Sequence, residues 1–215
     1  MSSTDSDPAD ADPAGTVLDI YQHHVAAFVT LRSTALFERP WLDALLAAMP
    51  PGGREVLDIG CGTGAPMAAY LIAKGCHVTG IDGAPAMIER ARASFPGHVW
   101  ISADMRDLPE LGAFHAVVAW HSFFHLTPED QRPMFARFGR HCLPGGVLIF
   151  TSGTAYGEAI GSFEGRPLYH GSLDSAEYHD LLRANGFDVI RHVETDPECG
   201  GATVWLARKS GGQGD

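Results

Sequence analysis

The stretch EVLDIGCGTG, residues 55–64, joins a short apolar run to three glycines. Val56, Leu57 and Ile59 suit a fully buried parallel strand. The glycines follow at once, and the next residues, APMAAYLIAKG, have a helical composition. A strand, a glycine turn and a helix start direct backbone N–H groups and a helix dipole at one point. Because glycine lets a ligand approach the backbone closely, the stretch predicts a site for a nucleotide-like ligand.

The same letters also fit a looser dinucleotide fingerprint, G-x-G-x-x-A, formed by Gly60, Gly62 and Ala65. Asp58 argues against it, because a carboxylate two positions before the first glycine would repel a pyrophosphate but suits an ammonium or sulfonium group. Asp82 ends the next apolar run, HVTGID, and can accept hydrogen bonds from a ribose diol in either case. Two carboxylates and no Arg or Lys in the turn favour a cationic nucleoside without phosphates, S-adenosylmethionine (SAM).

Strand-like and helix-like segments alternate after residue 54. The predicted strands are residues 55–59, 77–81, 99–102, 114–120, 146–151, 187–194 and 202–207. A short polar loop separates the last two, so we expect them to form an antiparallel hairpin. The sequence therefore predicts an α/β fold with a mostly parallel sheet, and the terminal hairpin is a second argument against a dinucleotide domain.

Two helices are predicted before the first strand, over residues 17–29 and 41–49. Pro85 suits the first turn of a later helix, Thr127 begins a capping box, and another helix is predicted over 175–185. Residues 1–15 and 210–215 have the composition of disordered tails. One domain over 16–209 remains, with a long, irregular glycine-rich loop after the fifth strand.

Several segments together resemble the class I SAM-dependent methyltransferases, whose first motif is commonly D-x-G-x-G-x-G. The likeness runs from about Tyr21 to Lys209 and includes the glycine motif, Asp82, SADMRDLP, AVVAW and LPGGVLIF. The segments WHSFFHLTPEDQ and FTSG are similar to a bacterial subgroup of small methyltransferases. The resemblance implies a Rossmann-like three-layer sandwich with a seven-stranded sheet, SAM as methyl donor, and a helical lid formed by residues 16–50.

Ligands of open α/β sheets bind beyond the carboxyl ends of the strands. The predicted cofactor-binding residues are Asp58, Gly60, Cys61, Gly62, Gly64, Asp82, Gly83, Met87, Asp104, Met105 and Trp120. We expect the first five beside the methionine part, Asp82 on the ribose, and Gly83, Met87, Asp104 and Met105 around the adenine. The alternatives are a helix N-cap for Asp104 and a core position for either methionine.

The fourth strand opens into WHSFFH, which would face both the sulfonium and the methyl acceptor. Aromatic faces suit a cation, and a neutral imidazole can act as a general base near pH 7. His121 and His125 are therefore the candidate catalytic residues, with a structural hydrogen-bonding role as the alternative for each. No third ligand is evident for a metal at this pair, so no metal is predicted.

Candidate acceptor contacts come from the lid, the WHSFFH segment and the loop after the fifth strand. They are Tyr21, Arg32, Phe124, Tyr156, Tyr169 and His170. Long loops in compact domains are commonly functional, although packing is the default role for each of these side chains.

Composition limits the partners. The net charge of −11 disfavours a nucleic-acid partner, and no apolar run or leader predicts a membrane span or a signal peptide. Four scattered cysteines suit a reducing cytoplasm. We expect a cytoplasmic monomer or homodimer that methylates a small molecule. A SAM-binding protein without transferase activity and an NAD-dependent oxidoreductase are the alternatives.

Overall fold

The computed structural model describes residues 14–31 and 36–211. The strands are β1 Glu55–Ile59, β2 His77–Asp82, β3 Val99–Ser102, β4 Phe114–Ala119, β5 Cys142–Ser152, β6 Gly157–Phe163, β7 Arg166–Ser172, β8 Phe187–Asp196 and β9 Ala202–Lys209. The helices are α1 Val17–His23, α2 Val25–Leu31, α3 Arg39–Ala48, α4 Met67–Ala73, α5 Pro85–Ser94, α6 Pro128–His141 and α7 Ser175–Ala184.

Seven strands form one sheet in the order β3-β2-β1-β4-β5-β9-β8. The first five are parallel, and β9 pairs antiparallel with both β5 and β8. This confirms the predicted mostly parallel sheet and its terminal hairpin. Strand β1 lies between β2 and β4, so the chain reverses direction across the sheet at β1, where such folds bind ligands.

Both faces of the sheet are buried under helices. Val56 and Val118 pack on one face with α3, α4 and α5, and Leu57 and Val117 pack on the other with α6 and α7. Neighbouring residues of one strand point to opposite faces, so the near-continuous apolar run of β1 supplies both cores. The result is a three-layer α/β sandwich.

The prediction of an irregular loop after the fifth strand was wrong. Residues 157–172 form a separate two-stranded antiparallel sheet of β6 and β7. Its tight turn uses Glu164 and Gly165, with φ angles of 50° and 73°. Glycines and a proline interrupt the alternation of apolar and polar residues in this segment. Most of β6 is also exposed, so β6 lacks the apolar pattern by which strands are recognised.

The first predicted helix is divided into α1 and α2 at His24, whose backbone leaves helical geometry. Thr127 is confirmed as the N-cap of α6, since its hydroxyl accepts from the backbone N–H of Asp130, and Pro85 occupies the first turn of α5. Residues 1–13 and 212–215 of the predicted tails lie outside the described part of the chain. Within the described part, no helix combines the length and apolar character that crossing a membrane requires.

Candidate cofactor and acceptor site

The glycine loop is fixed by backbone hydrogen bonds at the end of β1. The N–H groups of Gly60 and Cys61 both donate to the carbonyl of Ile81, at 2.7 and 2.9 Å. Gly60 has a φ of 75°, and a Cβ there would overlap the side chain of Ser122. Both the left-handed backbone and the close approach of Ser122 therefore require glycine at this position.

Asp82 ties the glycine loop to helix α5. Its carboxylate accepts from the backbone N–H of Gly62 at 2.8 Å and from that of Ala84 at 2.9 Å. Burial raises the pKa of Asp82, and the two N–H donors oppose that rise. The loop and the start of α5 thus share one carboxylate at the carboxyl end of β2.

Two cavities meet at Gly60. The larger one, about 610 Å³, is called the central cavity, and its lining includes Leu18, Tyr21, Gly60, Asp82, Gly83, Asp104, Met105, Arg106, Ser122 and His125. The smaller one, about 340 Å³, is called the loop cavity, and its lining includes Phe28, Asp58, Gly60, Cys61, Gly62 and Trp120. The structure therefore brings nine of the eleven predicted cofactor residues to two adjoining spaces.

Asp104 is the N-cap of a 3-10 turn, Met105–Asp107. This is the alternative role that the sequence predicted for it. Its carboxylate accepts from the backbone N–H of Arg106 at 2.8 Å and pairs with the guanidinium of Arg106 at 2.6 Å. Burial alone would raise the pKa of Asp104, but the hydrogen bonds and charge of Arg106 lower it. Asp104 is therefore an ionised group on the wall of the central cavity.

Met87 and Gly64 lie outside both cavities. Met87 is 1% exposed and packs with Val25 and Ala84, which is the core position weighed from the sequence. Gly64 faces the rings of Phe95 and Trp100, which a Cβ would approach to within 3.0–3.2 Å. Gly64 therefore makes room for Phe95, which follows α5, and for Trp100 of β3.

His125 is hydrogen-bonded through both ring nitrogens. Nδ1 lies 2.8 Å from the carbonyl of Tyr169, and because a carbonyl only accepts, Nδ1 carries the proton. Nε2 then accepts from the hydroxyl of Tyr21 at 3.0 Å. Burial lowers the pKa of His125 to about 4, so the ring is neutral at pH 7 and its basic nitrogen faces the phenol of Tyr21.

His121 has a φ of 48°, which is uncommon for a side chain other than glycine. Its backbone N–H donates to the hydroxyl of Thr151 at 2.9 Å, at the end of β5. Its ring lies 5.5 Å from that of Trp120 and 5.7 Å from that of Phe124. Such strained residues concentrate at functional sites, although His121 does not line the two cavities.

The candidate acceptor residues take different positions. Phe124 and His170 line a third space of about 580 Å³, called the hairpin cavity. Tyr169 is buried and donates its hydroxyl to Glu158 at 2.8 Å. Tyr156 is 60% exposed. Arg32 lies outside the described residues.

Four residues that shape the site were missed from the sequence. Leu18 packs against Gly83, the Gln22 side chain accepts from the backbone N–H of Ala86, Ser122 fills the space above Gly60, and Glu158 lines the hairpin cavity. Leu18, Gln22 and Ser122 act through contacts with distant parts of the chain, for which the sequence carries no local signal, and Glu158 lies in the hairpin that was predicted to be an irregular loop.

Comparison with known proteins agrees with this architecture. The model of a family described as a methyltransferase domain matches residues 56–146. An uncharacterized methyltransferase of Mycobacterium tuberculosis is 38% identical over 121 residues, which are 52% of this chain and 59% of that protein. A carboxy-S-adenosyl-L-methionine synthase of Shewanella loihica is 29% identical over 146 residues, 63% of this chain and 56% of that protein. The chain thus matches little more than half the length of these relatives.

Among solved structures, a 1,6-didemethyltoxoflavin-N1-methyltransferase of Burkholderia thailandensis has a TM-score of 0.71 at 20% identity. The match covers 95% of this chain and 93% of that one, which was crystallised with its acceptor and S-adenosylhomocysteine. At this identity the likeness concerns the fold, which extends over nearly the whole chain. The domain match and these relatives make the chain similar to methyltransferases, and the structural match shows that the shared fold extends beyond residues 56–146.

Proposed function

We propose that this protein transfers a methyl group from SAM to a small-molecule acceptor. The observation that carries the proposal is the pair of carboxylates, Asp58 in β1 and Asp82 at the end of β2, that flank the glycine loop at the chain reversal. Asp58 is 3% exposed and lines the loop cavity. Among the described residues lining the three cavities, Arg106 is the one Lys or Arg, and it is paired with Asp104. This charge pattern suits a cationic ligand without phosphates.

The two adjoining cavities would each hold one half of SAM, the central cavity its adenosine and the loop cavity its methionine part. In the central cavity, Asp82 would hold the ribose hydroxyls, and Gly83, Asp104 and Met105 would surround the adenine. In the loop cavity, Asp58, Gly60, Cys61, Gly62 and Trp120 would hold the methionine part. Burial and the negative charges of Asp58 and Asp82 raise the pKa of Cys61, so its thiol stays protonated and is a contact rather than a nucleophile.

When bound, SAM supplies an electrophilic methyl carbon that an acceptor's lone pair attacks. The protein's tasks are to align the acceptor and to exclude water. Helix α1 contributes to both, because Leu18 and Tyr21 close the central cavity. An acceptor that must lose a proton would pass it to the Tyr21 oxygen while the hydroxyl proton of Tyr21 moves to Nε2 of His125. In this proposal His125 acts through Tyr21.

The described residues favour methyl transfer over the synthesis of carboxy-S-adenosyl-L-methionine, the activity named for the Shewanella loihica relative. A carboxylate-bearing reactant calls for a cationic partner. The guanidinium of Arg106 already contacts Asp104 and, at 3.4 Å, Asp130. Methyl transfer requires no cationic side chain of this kind among the described residues.

Calorimetric titration with SAM, followed by incubation with deuteromethyl-SAM and a small-molecule cell extract, tests the proposal. We expect saturable binding and a mass-shifted methylated product. The absence of binding up to millimolar SAM or S-adenosylhomocysteine would contradict the cofactor assignment. Binding without any labelled product would favour the SAM-binding protein without transferase activity, and binding of NAD instead would restore the oxidoreductase.

A further inference from the structure

The hairpin cavity joins the turn after β4 to the β6–β7 hairpin. Its ten lining residues are Phe124, Gly153, Thr154, Ala155, Gly157, Glu158, Ala159, His170, Gly171 and Ser172. Phe124 and His170 form its aromatic wall, with ring centroids 5.3 Å apart. Both rings also contact the ring of His125, at 4.8 and 5.0 Å. The cavity therefore lies directly behind a side chain of the central cavity.

The charge of this cavity has one sign. Among the described residues that line it, Glu158 is the one Asp or Glu, and there is no Lys or Arg. His170 adds no positive charge at pH 7, because burial lowers its pKa. An anionic acceptor would meet a carboxylate that no described Lys or Arg of the lining neutralises, whereas a cation would meet one carboxylate beside two aromatic rings.

Glu158 is held in place by a buried partner. The hydroxyl of Tyr169, whose residue is 3% exposed, donates to Glu158 at 2.8 Å. Gly171 faces Glu158 across the hairpin, and a Cβ there would lie 3.0 Å from the Tyr169 hydroxyl and 2.7 Å from the carbonyl of Leu126. The absence of a side chain at Gly171 leaves the path between Tyr169 and Glu158 open.

Tyr169 also links the two parts of the site. Its carbonyl accepts from His125 Nδ1 while its hydroxyl orients Glu158. One residue of β7 thus fixes both the tautomer of the imidazole and the carboxylate of the hairpin cavity. Glu158 itself is exposed, and the hydrogen bond from Tyr169 restricts its orientation.

We propose that the acceptor carries a basic amine and that Glu158 binds this amine in the hairpin cavity. This inference rests on the proposed function and names the class of its acceptor. Phe124 and His170 supply the apolar and aromatic contact for the rest of the molecule. Glu158 is then a specificity residue that favours amines over carboxylates of the same skeleton.

The test uses matched probes on the full chain saturated with S-adenosylhomocysteine. The amines are benzylamine, phenethylamine and cyclohexylamine, and the carboxylates are benzoate, phenylacetate and cyclohexanecarboxylate. Ligand-observed NMR measures their binding. We expect the amines to bind and the carboxylates not to bind. Glu158→Gln should raise the amine Kd about tenfold, which corresponds to one charge-assisted hydrogen bond.

Glu164→Gln is the matched control, because it removes the same charge from the turn of the same hairpin, outside the lining of the cavity. It should leave the amine Kd unchanged, and Tyr169→Phe should raise it less than Glu158→Gln does. Equal binding of amines and carboxylates, no amine binding to the loaded wild-type protein, or no effect of Glu158→Gln would overturn the proposal. Failure to bind S-adenosylhomocysteine would instead overturn the proposed function, so the two failures are distinguishable.

Discussion

The hydroxyl of Tyr21 in α1 donates to Nε2 of His125 in the turn after β4, across a sequence separation of 104 residues. Because the other nitrogen of His125 donates to Tyr169 in β7, three distant segments meet at one imidazole. The central cavity lies beside this contact. The Tyr21–His125 hydrogen bond therefore joins α1 to the opposite wall of the central cavity.

Tyr21→Phe should weaken both the closure of α1 and the reaction. The variant leaves His125 Nε2 without this donor, at a cost of about 1–2 kcal/mol, or roughly 2–8 °C in Tm for a domain of this size. We expect methyl transfer to fall more than SAM affinity, as measured by kcat and by calorimetry. Tyr70→Phe is the control, since Tyr70 bonds to Asp43 on the surface; equal effects of the two variants would contradict the assignment.

His125 should make stability depend on pH. Its pKa is about 4 when folded and 6.5 as a free side chain, so the unfolded chain binds a proton that the folded chain does not. Stability from this residue is full above pH 6.5 and is lost as the pH falls towards 4, by about 2–3 kcal/mol. Urea unfolding at several pH values measures this loss. His125→Gln should be less stable at pH 7 but flatter below it, and a parallel pH profile would rule out His125 as the source.

The parts of the fold that were predicted from sequence depend on local pattern. The run VLDI followed by glycines determines β1 and its turn, and alternation of strand and helix determines the sheet, whatever the distant contacts are. The β6–β7 hairpin escaped prediction because its stability comes from β7 packing against α1 and the turn after β4, while β6 stays exposed.

The candidate site likewise combines residues that local sequence patterns predict with contacts that depend on the whole fold. The positions of Asp82 and Gly60 at the cavities could be predicted because each residue lies at the end of a single strand. The bond between Tyr21 and His125, and the orientation of Glu158 by Tyr169, arise only when separate segments fold together. His121 and His125 were equivalent in the sequence, but the structure places only His125 on the wall of the central cavity.

Asp82→Asn should separate cofactor binding from folding. The amide keeps the shape and one acceptor for the N–H groups of Gly62 and Ala84, but it loses the charge and half of the acceptor capacity. Wild-type protein at a SAM concentration of about 100 Kd should gain about 2.7 kcal/mol of stability, and the variant should lose most of that gain. Thermal shifts with and without SAM measure it. Asp180→Asn, exposed on α7, should keep the full shift, and a normal shift in Asp82→Asn would remove Asp82 from the cofactor site.

Gly60→Ala should separate backbone strain from steric overlap at the glycine loop. Gly60 and Gly75 have similar φ angles, 75° and 83°, but a Cβ at Gly75 has no neighbour within 4 Å, whereas one at Gly60 meets Ser122. Gly75→Ala should therefore cost only the left-handed strain, about 1–2 kcal/mol. Gly60→Ala should cost about 1–3 kcal/mol more through overpacking and should also weaken SAM binding.

The double variant Gly60→Ala/Ser122→Gly removes the side chain that the new Cβ would overlap. It should recover much of the free energy of unfolding lost in Gly60→Ala, as measured by denaturant titration. Ser122→Gly alone measures the stability lost with the hydrogen bond from the Ser122 hydroxyl to the Ile59 carbonyl. This loss is subtracted from that of the double variant before the comparison with Gly60→Ala. Equal stability of Gly60→Ala and Gly75→Ala would mean that Ser122 moves aside freely, and the close contact would then not explain the glycine.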